Sequence, residues 1–409
     1  MLFVYNIAIR IYYMLIRLAS LFNNKAALWV RGRNKQVVKQ HTRSLWFHFA
    51  SLGEFEQGRP VLEQLKQQHP DQEIVITFFS PSGYEVRKNT PLANAVYYLP
   101  LDTAANAGNF IAKIDPAIAV FTKYEYWFYF FAELNKREVP LYIISGIFRP
   151  GQVFFKWYGG LHRKILGFVN HFFVQDERSV QLLREINITN ATVSGDTRFD
   201  RVWTNAQHPQ NIPFIDEFKN GQKLFIAGSS WPADEALLVE LVKQYPDWKF
   251  IFAPHEIEED KIANLLNLLP ASETIRYSHL KAQNLQLKAN QAMVIDNIGM
   301  LSSLYQYADI AYIGGGFGAG IHNTLEAAAF GLPVIFGPNY RRFNEACNLI
   351  TEGAGFAIAN EDELKNVAAK LMNDPDALKS AGQKAQDYVQ QNVGATEMIA
   401  KHIIITYNG

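Results

Sequence analysis

Cysteine is almost absent from this sequence. Cys347 is the only cysteine among 409 residues, which excludes an intrachain disulfide and a zinc site built from several thiolates. The histidines include no pair at the spacing of metal ligands, so we expect no metal site. Short-period repeats and low-complexity tracts are also missing from the sequence. This composition favours globular domains in a reducing compartment that need no metal or other cofactor.

Acidic residues are missing from the beginning of the chain. Glu54 is the first carboxylate, although acidic and basic residues balance at 39 each over the whole sequence. Such an excess of basic residues at the beginning of the chain favours contact with an anionic surface, either a membrane or a nucleic acid. The eight basic residues that precede Glu54 are Arg10, Arg17, Lys25, Arg31, Arg33, Lys35, Lys39 and Arg43.

The first 22 residues favour the membrane over a nucleic acid. They are strongly apolar, and Asn6, Arg10, Tyr13 and Arg17 fall near one stripe of a helix. The two arginines interrupt a segment otherwise long enough to span a bilayer, and no signal-peptide cleavage site follows. We therefore predict that residues 1–40 form a membrane-associated helix and basic flank that bind anionic lipid on the cytoplasmic side. The alternative is an N-terminal helix packed on the protein itself.

The rest of the chain alternates between apolar strands and helical stretches. This pattern runs through residues 41–205 and again through 223–409, and it predicts parallel sheets in both. A polar stretch with prolines, residues 206–222, is the predicted linker. The last helix belongs to the second domain by sequence, and packing back on the N-terminal domain is an alternative for it. The predicted fold is α/β, with two Rossmann-like domains facing a cleft, as in GT-B glycosyltransferases.

A glycine-rich segment follows the predicted strand Ile310–Ile313 and runs into the helix-forming Ala327–Ala329. A strand, a glycine turn and a helix start together favour a phosphate site, because glycine lets the backbone approach an anion closely. The segment matches neither the dinucleotide fingerprint nor a Walker loop, and a plain tight turn is the alternative. The predicted binding residues are Gly314, Gly315, Gly316, Gly318 and Gly320 in the turn, His322 and Asn323 at the helix mouth, and Glu326, which would reach a ribose hydroxyl.

A second possible anion turn lies at Ser229 and Ser230, which follow another predicted strand. Serines at this position also serve as plain helix caps, so both interpretations stay open.

Several short segments, in order along most of the chain, resemble the Kdo transferases of lipopolysaccharide synthesis. The resemblance is carried by Ser51–Glu56 after His48, Tyr97–Asp102, Glu125 with Trp127, Gly195–Asp200, Gly228–Trp231, Asp296–Leu301 and the glycine-rich segment. It implies a membrane-bound, inverting, metal-independent transferase. Such an enzyme moves Kdo, an acidic eight-carbon sugar, from a CMP-Kdo donor to a lipid A precursor acceptor at the cytoplasmic face of the inner membrane.

The sequence also departs from the family pattern. Pro254 is followed by His255 and Glu256, where the family has an arginine and a histidine, which leaves His255 as the candidate for substrate binding there. Gly316 and Ile321 replace a serine and a glycine of the family. These differences indicate a divergent branch.

Two carboxylates are the candidate catalytic residues. Glu54 follows a turn at a strand end, and with the resemblance it is favoured as the base that activates the acceptor hydroxyl. The alternatives are a carboxylate that only stabilises a helix start, and Glu56 as the base. Glu125 lies in an aromatic run, where a charge needs a partner or a function.

Basic residues also alternate with aromatic ones between Arg149 and Lys164, which suits a phosphorylated lipid or an anionic membrane face.

Two other classes of function compete with the transferase. One is a different nucleotide-sugar glycosyltransferase or an epimerase of the same architecture, and the other is a non-catalytic, membrane-associated binder of nucleotide sugars.

Overall fold

The computed structural model describes residues 2–282 and 287–408. It separates into two compact units, the first comprising Met1–Asp200 with Val393–Gly409 and the second Arg201–Asn392. Each unit is built on one parallel sheet of seven strands. The predicted α/β fold with two Rossmann-like domains is therefore confirmed.

The first unit begins with two helices and continues as alternating strands and helices, in agreement with the sequence pattern. The strand order in its sheet is β3-β2-β1-β4-β5-β6-β7. The elements are α1 Leu2–Ala19, α2 Asn24–Lys35, β1 Ser44–Phe49, α3 Leu52–Gln68, β2 Ile74–Phe78, α4 Pro81–Arg87, β3 Ala95–Tyr98, α5 Ala104–Ile114, β4 Pro116–Thr122, α6 Phe128–Lys136, β5 Leu141–Gly146, α7 Gly160–Leu166, β6 His171–Val174, α8 Glu177–Glu185, β7 Ala191–Val193 and α9 Thr197–Gln207.

The second unit repeats the pattern, with the strand order β10-β11-β9-β8-β12-β13-β14. Its elements, and the final helix that returns to the first unit, are α10 Ile215–Lys219, β8 Lys223–Ser230, α11 Pro232–Gln244, β9 Trp248–Pro254, α12 Glu259–Leu268, β10 Thr274–Arg276, β11 Ala292–Val294, α13 Leu301–Leu304, β12 Ile310–Ile313, α14 Leu325–Ala329, β13 Val334–Phe336, α15 Asn344–Glu352, β14 Gly355–Ala357, α16 Glu361–Met372, α17 Pro375–Gln391 and α18 Ala395–Asn408.

Central strands are buried on both faces because helices cover both sides of each sheet. Every residue of β1 is buried, and successive side chains point to opposite faces. Trp46 therefore packs with Phe121 and Phe130 on one side, while Phe47 joins the core on the other side. This two-sided burial explains why the strands are continuous apolar runs rather than alternating ones.

The borders of the units differ in detail from the sequence-based division. The first unit ends within α9, and the stretch 206–222 contains α10, whose Ile215 and Phe218 are buried in the second unit. Residues 393–409 belong to the first unit. There, Ile399 and Ile403 of α18 are buried in the same core cluster as Phe47.

Candidate active site

The first candidate site lies at the carboxyl edge of the first sheet, where β1 ends. In the sheet, β2 lies on one side of β1 and β4 lies on the other side. The strand order therefore reverses at β1. Ligands of open α/β sheets bind in the crevice at such a point. Because only Ala50 and Ser51 separate β1 from α3, the first turn of α3 lies at this edge.

Glu54 lies in that first turn and is half-buried. The hydroxyl of Ser51 donates a short hydrogen bond to its Oε2 atom. The competing carboxylate, Glu56, accepts a hydrogen bond from Nη2 of Arg87 at 2.6 Å and is thereby held in a half-buried ion pair. The geometry therefore favours Glu54 over Glu56 as the carboxylate that is positioned for chemistry.

Glu125 has the partners that its aromatic surroundings require. Its Oε2 atom accepts a hydrogen bond from the indole of Trp127 at 2.9 Å and lies 3.3 Å from Nε2 of the fully buried His48. Nδ1 of His48 lies 2.8 Å from the hydroxyl of Thr77 on β2. Glu125 is thus anchored to β1 and to the loop before α6, and its catalytic role stays a prediction.

A polar cluster that the sequence did not assign to the site borders Glu54. Gln57, one turn along α3, donates to the buried carboxylate of Asp196 at 2.8 Å. Arg198 binds the other oxygen of Asp196 through Nε at 2.9 Å and Nη2 at 2.7 Å. Burial alone would raise the pKa of Asp196, but the charge and hydrogen bonds of Arg198 outweigh it and hold that pKa below its usual range. The cluster therefore keeps an arginine fixed near this edge of the sheet.

The second candidate site is the glycine-rich loop that follows β12 in the second unit. A side-chain carbon on Gly314 would lie 2.1 Å from the carbonyl oxygen of Ser229, and one on Gly316 would lie 2.6 Å from the backbone of Gly337. Gly315 and Gly320 have φ angles of 89° and 129°, which residues with a side chain rarely adopt. These glycines are thus required by close backbone packing at the strand ends.

The backbone N–H groups of the loop are less available to an anion than the sequence suggests. Gly314 donates to Gly228 at 2.9 Å, Gly315 to Asp234 at 2.9 Å, and Gly318 to Gly315 at 3.0 Å. Gly320 and His322 also donate to carbonyl groups within the loop. The predicted helix start near His322 is wrong, because α14 begins at Leu325 and has only five residues. Recognition of an anion must therefore rely on the side chains around the loop together with the loop N–H groups outside these bonds.

A cavity of about 490 Å³ lies over this loop. It is lined by the residues Trp231 to Asp234, by Gly315, by Phe317 to Gly320 and by His322. Trp231 and His255 stack at 4.8 Å between ring centroids, and His255 and His322 stack at 4.4 Å. We call Trp231, His255 and His322 the aromatic stack. It brings the sequence-predicted His255 and His322 together with a tryptophan that the sequence did not single out.

Asn323 and Glu326 are joined to each other. The Asn323 amide donates to Oε1 of Glu326 at 3.0 Å, and its oxygen accepts from the backbone N–H of Leu325 at 3.1 Å. Burial raises the pKa of Glu326, although Asn323 and the positive charge of Arg201 oppose this effect. Asn323 therefore shapes the start of α14 and orients Glu326.

The two serines have different surroundings at the end of β8. Ser230 is buried and its hydroxyl donates to Oε1 of Glu235 at 2.9 Å. This bond ties the strand to α11, in line with a structural role. Ser229 is half-buried and has a φ angle of 51°. Its role in binding stays a prediction.

Arg342 is a further residue that the sequence did not assign to this site. Its guanidinium donates a short hydrogen bond to the carbonyl of Ala319, next to Gly320. It follows β13, which pairs with β12 in the sheet. Arg342 thus adds a positive charge beside the glycine-rich loop.

The part of the chain that the structure describes contains no group of three or more histidine, cysteine, aspartate or glutamate side chains placed to hold a metal ion.

We expect the variant Gly314→Ala to unfold at a lower temperature than the wild type. The added methyl group would meet the Ser229 carbonyl, and relieving such overpacking typically costs about 1–3 kcal/mol. Gly318→Ala is the matched control, because its nearest neighbour would be the Gly315 oxygen at 3.7 Å, an ordinary contact. Thermal unfolding of both variants checks this. Equal behaviour of the two variants would show that the close packing at Gly314 is unimportant.

The two Rossmann-like units define the class of the protein by its fold, which is the GT-B architecture. The UDP-GlcNAc 2-epimerase of Neisseria meningitidis has a similar fold, with a TM-score of 0.62 over 88% of this chain and 99% of the epimerase at 14% identity. MurG of Acinetobacter baumannii has a TM-score of 0.55 over 89% of this chain and 99% of its own at 14% identity. Similarities at this level of identity establish the fold alone.

Sequence comparison relates the chain to one family of transferases. The family model for 3-deoxy-D-manno-octulosonic-acid transferase (kdotransferase) matches residues 26–201. The 3-deoxy-D-manno-octulosonic acid transferase of Chlamydia pneumoniae is 26% identical over 383 residues, which cover 90% of this chain and 86% of that protein. The Aquifex aeolicus transferase is 26% identical over 347 residues, which cover 83% and 89%. The chain thus carries a Kdo transferase domain at residues 26–201 and resembles Kdo transferases along most of its length.

Proposed function

We propose that this chain transfers Kdo from CMP-Kdo to a lipid A precursor, lipid IVA, with inversion at the anomeric carbon and without a metal ion. The observation that carries the proposal is the position of Glu54. This half-buried carboxylate lies where the strand order of the first sheet reverses, inside the segment that the family model matches. Release of CMP from CMP-Kdo that depends on added lipid IVA tests the reaction. Release at the same rate without acceptor would contradict it.

In the proposed reaction Glu54 takes the proton of the acceptor hydroxyl. The hydroxyl oxygen forms the new bond to the anomeric carbon of Kdo, while the bond from that carbon to the phosphate oxygen of CMP breaks from the opposite face. The bonding electrons leave with CMP, so no oxidant or reductant is involved. Glu125, anchored by His48 and Trp127, is proposed to be the second catalytic carboxylate.

The donor is proposed to bind at the cavity over the glycine-rich loop. Its phosphate and the Kdo carboxylate are anions, and Arg342 and the histidines of the aromatic stack are the groups beside the loop that suit them. Glu326 is proposed to accept a hydrogen bond from a ribose hydroxyl. Ser229 and the loop glycines would complete the site.

The variant Glu326→Ala should weaken CMP binding by about 1–3 kcal/mol, because a buried hydrogen-bond partner is lost. Glu326→Gln keeps an oxygen that accepts from Asn323 and should lose less. Since burial raises the pKa of Glu326, wild-type affinity should begin to fall with decreasing pH above the range in which an ordinary glutamate titrates. Calorimetry at several pH values measures all three effects. An unchanged affinity of Glu326→Ala would mean that the loop is only a structural turn.

We also propose that α1 lies in the surface of the inner membrane on its cytoplasmic face. By length and composition alone α1 is apolar enough to cross a membrane, and no residue of it is buried in the structure. However, the Tyr5 hydroxyl donates a short hydrogen bond to Asp102, and the Tyr129 hydroxyl donates to Asn6 at 2.7 Å. These bonds hold α1 along the first unit, which favours a helix that lies in the interface over one that spans it.

The exposed side of α1 supplies the apolar surface that such an association needs. Basic residues on α1 and α2, without any acidic residue before Glu54, add attraction to anionic lipid. The large apolar side chains exposed on or just after α1 are Leu2, Phe3, Val4, Ile7, Ile11, Tyr12, Met14, Leu15, Leu18, Leu21 and Phe22.

A further inference from the structure

The aromatic stack contains a hydrogen bond that fixes the chemistry of His322. The indole Nε1 of Trp231 donates to Nε2 of His322 at 3.2 Å. An indole nitrogen is a donor only, so Nε2 of His322 must be the acceptor. A neutral imidazole with an accepting Nε2 carries its proton on Nδ1. His322 therefore offers one N–H group, on Nδ1, as its remaining donor.

A buried carboxylate, Asp234, fixes the backbone around the indole and the imidazole. Asp234, in the first turn of α11, accepts the backbone N–H groups of Trp231 and Gly315 at 2.9 Å each. Its other oxygen accepts the hydroxyl of the buried Tyr312 at 2.7 Å. A side-chain carbon on Gly315 would lie 3.2 Å from the His322 ring, so only glycine leaves the ring this close to the loop. One buried carboxylate thus ties the backbone of Trp231 to the glycine-rich loop that leads to His322.

The charges around His322 act in opposite directions. Burial and the neighbouring His255 lower the pKa of His322, while Asp234 opposes them. Arg342 contributes a positive charge at the Ala319 carbonyl on the other side of the loop. A second proton on His322 would also place an Nε2–H group against the indole N–H of Trp231. Geometry and charge both favour the neutral ring.

We propose that Trp231 is a positioning residue of the donor site, whose indole N–H holds His322 in the tautomer that presents Nδ1–H to the anionic part of the nucleotide sugar. The nature of that ligand rests on the proposed function. The tautomer itself rests only on the Trp231–His322 geometry. In this arrangement His322 binds as a neutral hydrogen-bond donor, and the positive charge near the ligand comes from Arg342. His255 packs against the ring and restrains its rotation.

The tautomer is measured by ¹⁵N spectroscopy of histidine-labelled full-length protein, with the His322 signals assigned from His322→Gln. We expect a protonated Nδ1 and an unprotonated Nε2 in the wild type near neutral pH. Trp231→Phe keeps an aromatic ring but removes the N–H group. It should give a mixture of tautomers and a titration of His322 at higher pH than in the wild type. Trp157→Phe, which removes an exposed indole in the first unit, is the control and should match the wild type.

Binding of CMP gives the second readout. Trp231→Phe should bind CMP about threefold to tenfold more weakly at pH 7.5, as expected for one misoriented hydrogen bond. Relative to the wild type, its affinity should rise as the pH falls and His322 gains a charge. A merely structural role of Trp231 would lower the melting temperature without creating this dependence.

A wild-type spectrum with the proton on Nε2 would overturn the inference, as would identical His322 titrations in Trp231→Phe and wild type. Failure of the wild type to bind CMP, with the spectra as expected, would contradict the proposed function and leave the tautomer assignment standing.

Discussion

Replacing Glu54 with glutamine should lower the turnover of the transferase by about 100-fold or more. Glutamine keeps the size of the side chain and a possible contact with Ser51, but it cannot take a proton from the acceptor hydroxyl. General-base catalysis typically contributes a factor of this size. Because Glu54 belongs to the first unit and the glycine-rich loop to the second, CMP binding should stay nearly unchanged. Steady-state rates and CMP calorimetry measure the two effects separately.

The control for this experiment is Glu56→Gln. Glu56 lies two residues further along the same helix and pairs with the half-buried Arg87. Glutamine keeps an oxygen that accepts from Arg87, and partly exposed ion pairs contribute little to stability, so this variant should retain turnover within about twofold. Near-normal turnover of Glu54→Gln, or a loss in Glu56→Gln as large as in Glu54→Gln, would remove Glu54 from the role of base.

Placing charges on the exposed side of α1 should release the protein from anionic vesicles. Leu15 and Leu18 are exposed on α1, and burial of a leucine side chain contributes about 1.5–3 kcal/mol. The double variant Leu15→Glu with Leu18→Glu should therefore lower the partition coefficient by about 100-fold or more. Transfer to a lipid acceptor should slow more than transfer to a deacylated, soluble one. Vesicle sedimentation and parallel rate measurements check both expectations.

Substitution is a sharper test here than deletion of the helix, because deletion would also remove the Tyr5 bond to Asp102. The matched control is Val86→Glu with Ile298→Glu, which adds the same charge at exposed apolar positions outside α1. The control should stay bound to the vesicles. If both double variants are released equally, net charge governs binding and α1 is not the anchor. If neither is released, the aromatic and basic segment between Arg149 and Lys164 becomes the better candidate.

Most of the fold could be predicted because the central strands are buried on both faces and therefore appear as continuous apolar runs. The strands that the sequence did not reveal are β7, β10 and β14. Each has three residues and lies at an edge of its sheet. An edge strand this short contains too few residues for a pattern, and its place is set by pairing with a neighbour. The helix α10 was missed for a similar reason, since five residues among prolines and polar side chains resemble a linker.

The candidate sites were predictable to the extent that they follow strand ends. Glu54 and the glycine-rich loop both come directly after buried strands, so their positions at sheet edges could be inferred from local sequence. The partners Asp196 and Arg198 lie about 140 residues from Gln57 along the chain, and only the folded sheet brings them together. The same holds for Trp231 and His322, which are 91 residues apart. The late start of α14 reflects the Asn323 side chain, which takes the N–H of Leu325 and ends the loop there.

The central claim is tested most directly by the mass of the product. Wild-type protein on anionic vesicles is incubated with CMP-Kdo and the tetraacylated lipid A precursor in the presence of a chelator. The lipid is then analysed by mass spectrometry. The account predicts a precursor that is heavier by one or more Kdo residues, and no such product with Glu54→Gln. An unchanged precursor, under conditions in which the wild type is folded and binds CMP, would contradict the account.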